Sequence, residues 1–133
     1  MNYLLDTHTF IWSVMDSEKL SPCVREILED EVNTVFISPL SFWEISIKTR
    51  LGKFSFENID IRHFPNISSQ FGFEILPLDG YDCITEFELP LLKEHKDPFD
   101  RMLIHSAIRK NLVLLSKDSQ FEKYKSAGLQ VMW

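Results

Sequence analysis

The chain is poor in the features that would assign a function at a glance. Its two cysteines, Cys23 and Cys83, show no C-x-x-C spacing, which excludes a disulfide framework and a zinc ribbon and suits a reducing compartment. The four histidines are dispersed, again without zinc-like spacing. Gly52, Gly72, Gly80 and Gly128 stand alone, so there is no glycine-rich phosphate loop. No G-x-S-x-G occurs, and neither cysteine has a nucleophile's surroundings, so a serine or cysteine hydrolase is unsupported. The longest apolar run is Leu112 to Leu115, too short to span a bilayer. The opening residues Met1 to Asp6 lack the basic and apolar stretches of a signal peptide, so the expected location is cytoplasmic. Positive charge is also scarce. With 14 Lys and Arg against 20 Asp and Glu, the net charge is −6, which argues against nucleic-acid binding through a basic surface alone. It does not exclude a nuclease, because clustered acids that bind cations become nearly neutral.

What is present is a regular alternation of apolar strands and helices in a length suited to one domain, residues 1–133. Tyr3 to Leu5, Val35 to Ile37, Phe73 to Leu76, Leu112 to Leu115 and Leu129 to Met132 read as strands. Thr9 to Met15 reads as a helix. Ser21-Pro22, Ser38-Pro39 and Asp97-Pro98 are helix starts, each a capping residue followed by Pro at the first helical position. The helices they open run to about Asp30, Leu51 and Lys110. Ile61 to Phe71 is a helix interrupted near Pro65, and Asp79 to Phe87 and Gln120 to Lys125 complete the set. Leu112 to Leu115 is apolar at every position, as a strand covered on both faces should be. The expected fold class is an α/β sandwich with a central, mainly parallel sheet.

Open α/β sheets bind ligands beyond the carboxyl ends of their strands. Asp6 directly follows the first strand, and Asp118 lies just past Leu115. Singly, each reads as a cap or turn residue. Glu44 falls within the stripe Leu40, Ile47, Leu51, and Asp100 lies one turn before Ile104 on the stripe continued by Ala107 and Ile108. A carboxylate on a core-facing stripe costs several kcal/mol, on the order of the penalty for burying an unpaired charge, unless it is paired, neutralised or metal-bound. Glu44 has Lys48 available at i+4, and Asp100 suits a helix N-terminus. The four acids together can converge on one edge of the sheet, and no array of basic residues is placed to neutralise them all. Hard oxygen donors of this kind suit Mg²⁺ or Mn²⁺, and such a site polarises a phosphate and activates water.

Four segments carry a family likeness: Tyr3-Leu4-Leu5-Asp6-Thr7-His8, Ser38-Pro39-Leu40-Ser41-Phe42-Trp43-Glu44-Ile45, Asp97-Pro98-Phe99-Asp100-Arg101-Met102-Leu103-Ile104 and Ser116-Lys117-Asp118. In this order and spacing the chain resembles a PIN domain, and more narrowly the VapC-type toxins of toxin–antitoxin pairs, down to the closing Val131-Met132-Trp133. The resemblance implies a PIN-like three-layer α/β/α sandwich and endoribonuclease activity with Mg²⁺ or Mn²⁺. It places the catalytic and metal-binding acids at Asp6, Glu44, Asp100 and Asp118. Asp6 and Asp100 would bind metal directly, Asp118 directly or through water, and Glu44 would orient the attacking water or help bind a second metal. It also implies a cognate antitoxin docking across the acids, a homodimer and an RNA substrate. The last motif departs from the usual Thr-x-Asp by carrying Ser116, which keeps the hydroxyl.

Among the neighbours of these acids, Thr7 and Ser116 are candidates to support them by hydrogen bonds, and Asp97 is the expected cap. Arg101 and Lys117 are candidates to meet phosphate or a partner. Trp12 and Trp43 read as core or subunit contacts, His105 as a packed helix residue, and Lys93 to Lys96 as an exposed loop beside the substrate path. One rival is a phosphoacceptor signalling domain, disfavoured because Thr7 and His8, not a second acid, follow Asp6, and because Glu44 lies inside a helix. The other is a nuclease-inactive PIN-like binding or regulatory module.

Overall fold

The computed structural model describes all 133 residues. Five strands form one sheet in the order β3-β2-β1-β4-β5. They are β1 (Asn2–Leu5), β2 (Thr34–Ile37), β3 (Glu74–Ile75), β4 (Val113–Leu115) and β5 (Gln130–Met132), and every pairing is parallel. The helices are α1 (Thr7–Met15), α2 (Pro22–Glu29), α3 (Pro39–Arg50), α4 (Phe64–Gln70), α5 (Gly80–Ile84) and α6 (Pro98–Lys110).

Local chemistry fixes the helix starts where the sequence places them. The Ser21 hydroxyl accepts from Val24 N, that of Ser38 from Leu40 N, and Asp97 Oδ1 from both Phe99 N and Asp100 N. Each satisfies amides that the first helical turn leaves without partners. Left-handed residues stop α3 and α6. Gly52 (φ 74°) follows α3, and Asn111 (φ 55°) caps α6.

Side chains alternate across the sheet, so the three central strands feed two cores. Tyr3, Leu5, Val35, Ile37, Val113 and Leu115 face one layer with Phe10, Val24, Ile45 and Phe64 from α1 to α4. Leu4 and Leu114 face the other, with Leu103, Ile104 and Ala107 of α6 and with Phe121 and Tyr124. Two helical layers enclose one sheet, the expected α/β/α sandwich. No helix is long and apolar enough to cross a membrane.

Several elements differ from their expected form. The third strand is reduced to Glu74–Ile75: Phe73 N is taken by Ser68 O at 2.9 Å, and although Leu76 N still donates to Ile37 O at 2.9 Å, the regular pairing ends there. The Asp79–Phe87 helix divides into α5 and a 3₁₀ segment, Thr85–Glu88, and the helix before β5 is 3₁₀ throughout, Ser119–Ala127. On α3 the buried face is Ser41, Glu44 and Ile45, whereas Leu51 is largely exposed. Glu44 is therefore buried together with Ser41 and Ile45, while Leu40 and Ile47 on its own stripe are only half-buried.

Candidate functional site

The strand order reverses at β1. The chain first moves outward through β2 and β3, then returns to the other side of β1 as β4. Such a switch point leaves a crevice at the carboxyl ends of the two central strands. The ends are stitched together there: Asp6 N donates to Leu115 O at 3.2 Å, and Thr9 Oγ1 to the same carbonyl at 2.9 Å. A cavity of about 340 Å³ opens at this place, lined by Asp6, Glu44, Asp100 and Asp118 together with Thr7, His8, Trp12, Lys48, Asp97, Lys117 and Phe121. Four acids from four separate segments thus share one cavity, and Asp97 adds a fifth.

Each acid is held differently. Asp6 caps α1, its Oδ1 accepting from Thr9 N at 2.7 Å. It is buried, and burial pushes its carboxyl pKa up against the hydrogen bonds of Ser116 and Thr9, which work to lower it. Glu44 is buried on the second turn of α3. Thr7 Oγ1 donates to its Oε1 at 2.6 Å, and the Lys48 ammonium pairs with its Oε2. Asp100 stands in the first turn of α6 with Oδ2 at 3.1 Å from His95 Nε2. Its pKa is pushed up to about 6, chiefly by burial and further by the charges of Asp97 and Glu44, against the hydrogen bond from His95. Asp118 is exposed and caps the 3₁₀ segment, accepting from Gln120 N at 2.9 Å.

Positive charge at the cavity comes from Lys48, Lys117 and, when protonated, His8. Burial works to lower the Lys48 pKa, but the hydrogen bond to Glu44 and the fields of Glu44, Asp97 and Asp100 outweigh it and raise it. Lys117 is exposed, with Nζ 6.0 Å above the Trp12 ring. As the side chains stand, no three His, Cys, Asp or Glu groups are gathered closely enough to share one ion. The donor set is nonetheless all hard oxygen, and no Lys or Arg pairs with buried Asp6, which is the chemistry a divalent cation takes.

The supporting residues are partly as expected. Thr7 holds Glu44, and Ser116 serves Asp6 and also accepts from Asp118 N. Asp97 is the α6 cap and lines the cavity as well. His105 is packed away from the acids, its Nε2 2.9 Å from Thr85 Oγ1. Arg101 corrects its expectation. It is buried and committed to Glu86 Oε1 (2.7 Å), Pro90 O (2.8 Å) and Leu89 O (2.9 Å), leaving it no access to a phosphate. The loop Lys93 to Lys96 is not uniformly exposed, because His95 is buried within it. Trp12 packs partly buried against the first core, as expected, and also lines the cavity, while Trp43 is 59% exposed, set edge-on against Phe99. Sequence reasoning passed over His95 and Tyr124. The charged run around His95 conceals a buried residue that meets Tyr124 far along the chain.

No curated protein matches the chain. Solved structures do. The VapBC2 complex of Rickettsia felis, bound to a DNA fragment from its promoter, matches at 18% identity and a TM-score of 0.71, over 100% of this chain and 99% of that one. VapBC-1 of nontypeable Haemophilus influenzae matches at 18% identity and a TM-score of 0.66, over 99% and 97%. DNA-bound VapBC of Salmonella typhimurium matches at 16% identity and a TM-score of 0.66, over 99% and 97%. At these identities the likeness establishes the fold. The sequence itself matches the PIN domain model over residues 3–127, nearly its whole length, and the chain belongs to the PIN domain family.

Proposed function

We propose that the chain is a Mg²⁺- or Mn²⁺-dependent endoribonuclease acting as the toxin of a toxin–antitoxin pair. The observation that carries this reading is the convergence of Asp6, Glu44, Asp100 and Asp118 on one cavity at the switch point of the sheet. A divalent ion bound there supplies a Lewis acid to the phosphate and lowers the pKa of water. Asp6, Asp100 and Asp118 would hold it. Glu44, held by Thr7, would orient the attacking water or help bind a second metal. Lys48 and Lys117 bring positive charge to the cavity that a phosphate must enter, in a molecule whose overall charge of −6 opposes it.

The partners follow from the same reading. The solved relatives are VapBC complexes, and the chain spans nearly the full length of the matched chains, so a cognate antitoxin covering the acids is the expected partner. A second copy is expected too. Trp43 and, on the segment before α6, Phe87 and Leu91 leave large apolar side chains exposed, and the mass in solution reads whether a homodimer covers them.

The test is cleavage of labelled single-stranded and structured RNAs by the purified, antitoxin-free chain with Mg²⁺, Mn²⁺ or EDTA, beside Asp6→Asn and Asp100→Asn. Metal-dependent cleavage that disappears in both variants supports the reading. Undiminished cleavage by either folded variant overturns the assignment of its acid. The inactive binding module has two observations in its favour: Lys48 already occupies Glu44, and the acids are not gathered around one point. Absence of both cleavage and calorimetric Mn²⁺ binding would establish that alternative.

A further inference from the structure

His95 joins the acidic cavity to a buried polar chain. The residue is 6% exposed, and its ring packs against Phe121 and Tyr124, with centroids 5.7 and 5.4 Å away. Its backbone is tied as well, His95 N donating to Leu92 O at 3.1 Å. One ring nitrogen, Nδ1, is 2.9 Å from Tyr124 Oη, and the other, Nε2, is 3.1 Å from Asp100 Oδ2.

The direction of these hydrogen bonds follows from their far end. Arg101 can only donate. Its Nη1 donates to Tyr124 Oη at 3.3 Å, while its remaining bonds to Glu86, Leu89 and Pro90 keep the guanidinium from turning. With that oxygen accepting from Arg101, the tyrosine's own proton is free to turn to His95 Nδ1. In that arrangement His95 Nε2 carries a proton and donates to Asp100 Oδ2. Oδ2 is thereby engaged, while Oδ1 makes no hydrogen bond within the protein and Asp100 still lines the cavity.

We propose that His95 is the positioning residue of Asp100: the chain Arg101–Tyr124–His95 fixes one carboxylate oxygen and leaves the other for the divalent ion. This rests on reading the cavity as a metal site. Groups that orient a ligand from behind typically account for about 10- to 100-fold in metal affinity. The three residues come from the loop before α6, from α6 itself and from the 3₁₀ segment after β4, so the chain also joins Asp100 to the segment that Asp118 caps.

The experiment is calorimetric Mn²⁺ binding to the full chain, using wild type, His95→Ala, Tyr124→Phe and His95→Ala with added imidazole, each checked for folding by circular dichroism. His95→Ala is expected to weaken Mn²⁺ binding by about 10- to 100-fold, and imidazole to restore much of it. Tyr124→Phe keeps the ring and removes only the hydroxyl, and a severalfold weakening is expected. Wild-type affinity in folded His95→Ala overturns the proposal, as does a loss that imidazole leaves unchanged. If His95→Ala does not fold, Tyr124→Phe decides: unchanged affinity there overturns the proposal too. A wild-type chain that binds no Mn²⁺ overturns the metal-nuclease reading itself, a result distinct from any difference between variants.

Discussion

Asp6 and Asp82 are both buried aspartates, and their surroundings drive them in opposite directions. Asp82 is 1% exposed and lies in the first turn of α5. It closes a capping box with Asp79, accepts from Arg109 Nε at 3.0 Å and from Lys110 Nζ at 3.2 Å. Burial works against its charge, yet the Asp79 amide, Lys110 and Arg109 prevail and hold its pKa below the usual carboxylate value. Asp6 has two hydrogen-bonding neighbours and no ammonium or guanidinium partner, and its pKa is raised. Burial alone therefore does not mark a functional acid. An acid whose charge the fold leaves uncompensated has a use for a cation from outside, while one surrounded by cations is finished as a structural joint.

The widest separation between the two should come from neutral isosteres. Asp6→Asn is expected to reduce RNA cleavage to background. It should leave the melting temperature unchanged or higher, since Asn still caps α1 and no longer has a charge to bury. Asp82→Ala is expected to do the reverse, with cleavage retained and stability reduced by about 2–3 kcal/mol in urea unfolding. That figure stays at the low end for a buried pair because Arg109 and Lys110 are 38% and 29% exposed and regain water when released. A folded Asp6→Asn protein with full activity, or an Asp82→Ala protein as stable as wild type, would break the contrast.

Acid pH should divide the two regions next. Asp82 has a depressed pKa, so its stabilisation is complete above the unfolded value of about 4 and is lost as pH falls through the lower folded value. Asp6 and Asp100 are raised, Asp100 to about 6. Between about pH 4 and 6 the folded state therefore binds more protons than the unfolded one, and stability falls as pH rises across that window. The metal-free protein should melt at a higher temperature near pH 5 than near pH 7.5. Asp100→Asn should remove on the order of 2 kcal/mol of that slope, and saturating Mn²⁺ should offset it at neutral pH by binding the folded state. A flat profile between pH 5 and 7.5 in EDTA would show that these acids are not held at a cost.

Much of this was legible in the sequence because it is local. The Ser-Pro and Asp-Pro starts each satisfy amides within three residues, and Leu112 to Leu115 declares a strand buried on both faces. The four acids were found by position, after strands or within helices facing inward. The support behind them was not legible. His95 meets Tyr124 at a separation of 29 residues and Arg101 meets it at 23, so no window on the chain contains both partners. Arg101, read as free to meet phosphate, is instead enclosed by the loop that carries Leu89 and Pro90. Glu44 is buried as read, but Leu51 on the stripe used to argue it is exposed, and the residues of α3 buried with it are Ser41 and Ile45.

Lys48 stands between the two regimes and gives the smallest test. Its ammonium does for Glu44 what Arg109 and Lys110 do for Asp82, but from the wall of the cavity and with the side chain 26% exposed. A cation already in place competes with one that arrives. Lys48→Met keeps the length of the chain and removes the charge, leaving Glu44 as uncompensated as Asp6. Mn²⁺ binding should then tighten by roughly fivefold, the equivalent of about 1 kcal/mol for charges at a partly hydrated site. In EDTA the variant should be slightly less stable than wild type, and the difference should close as Mn²⁺ saturates. Weaker Mn²⁺ binding by Lys48→Met would instead mean that the ammonium aligns Glu44 for the ion, and that the fold keeps this acid prepared by pairing it.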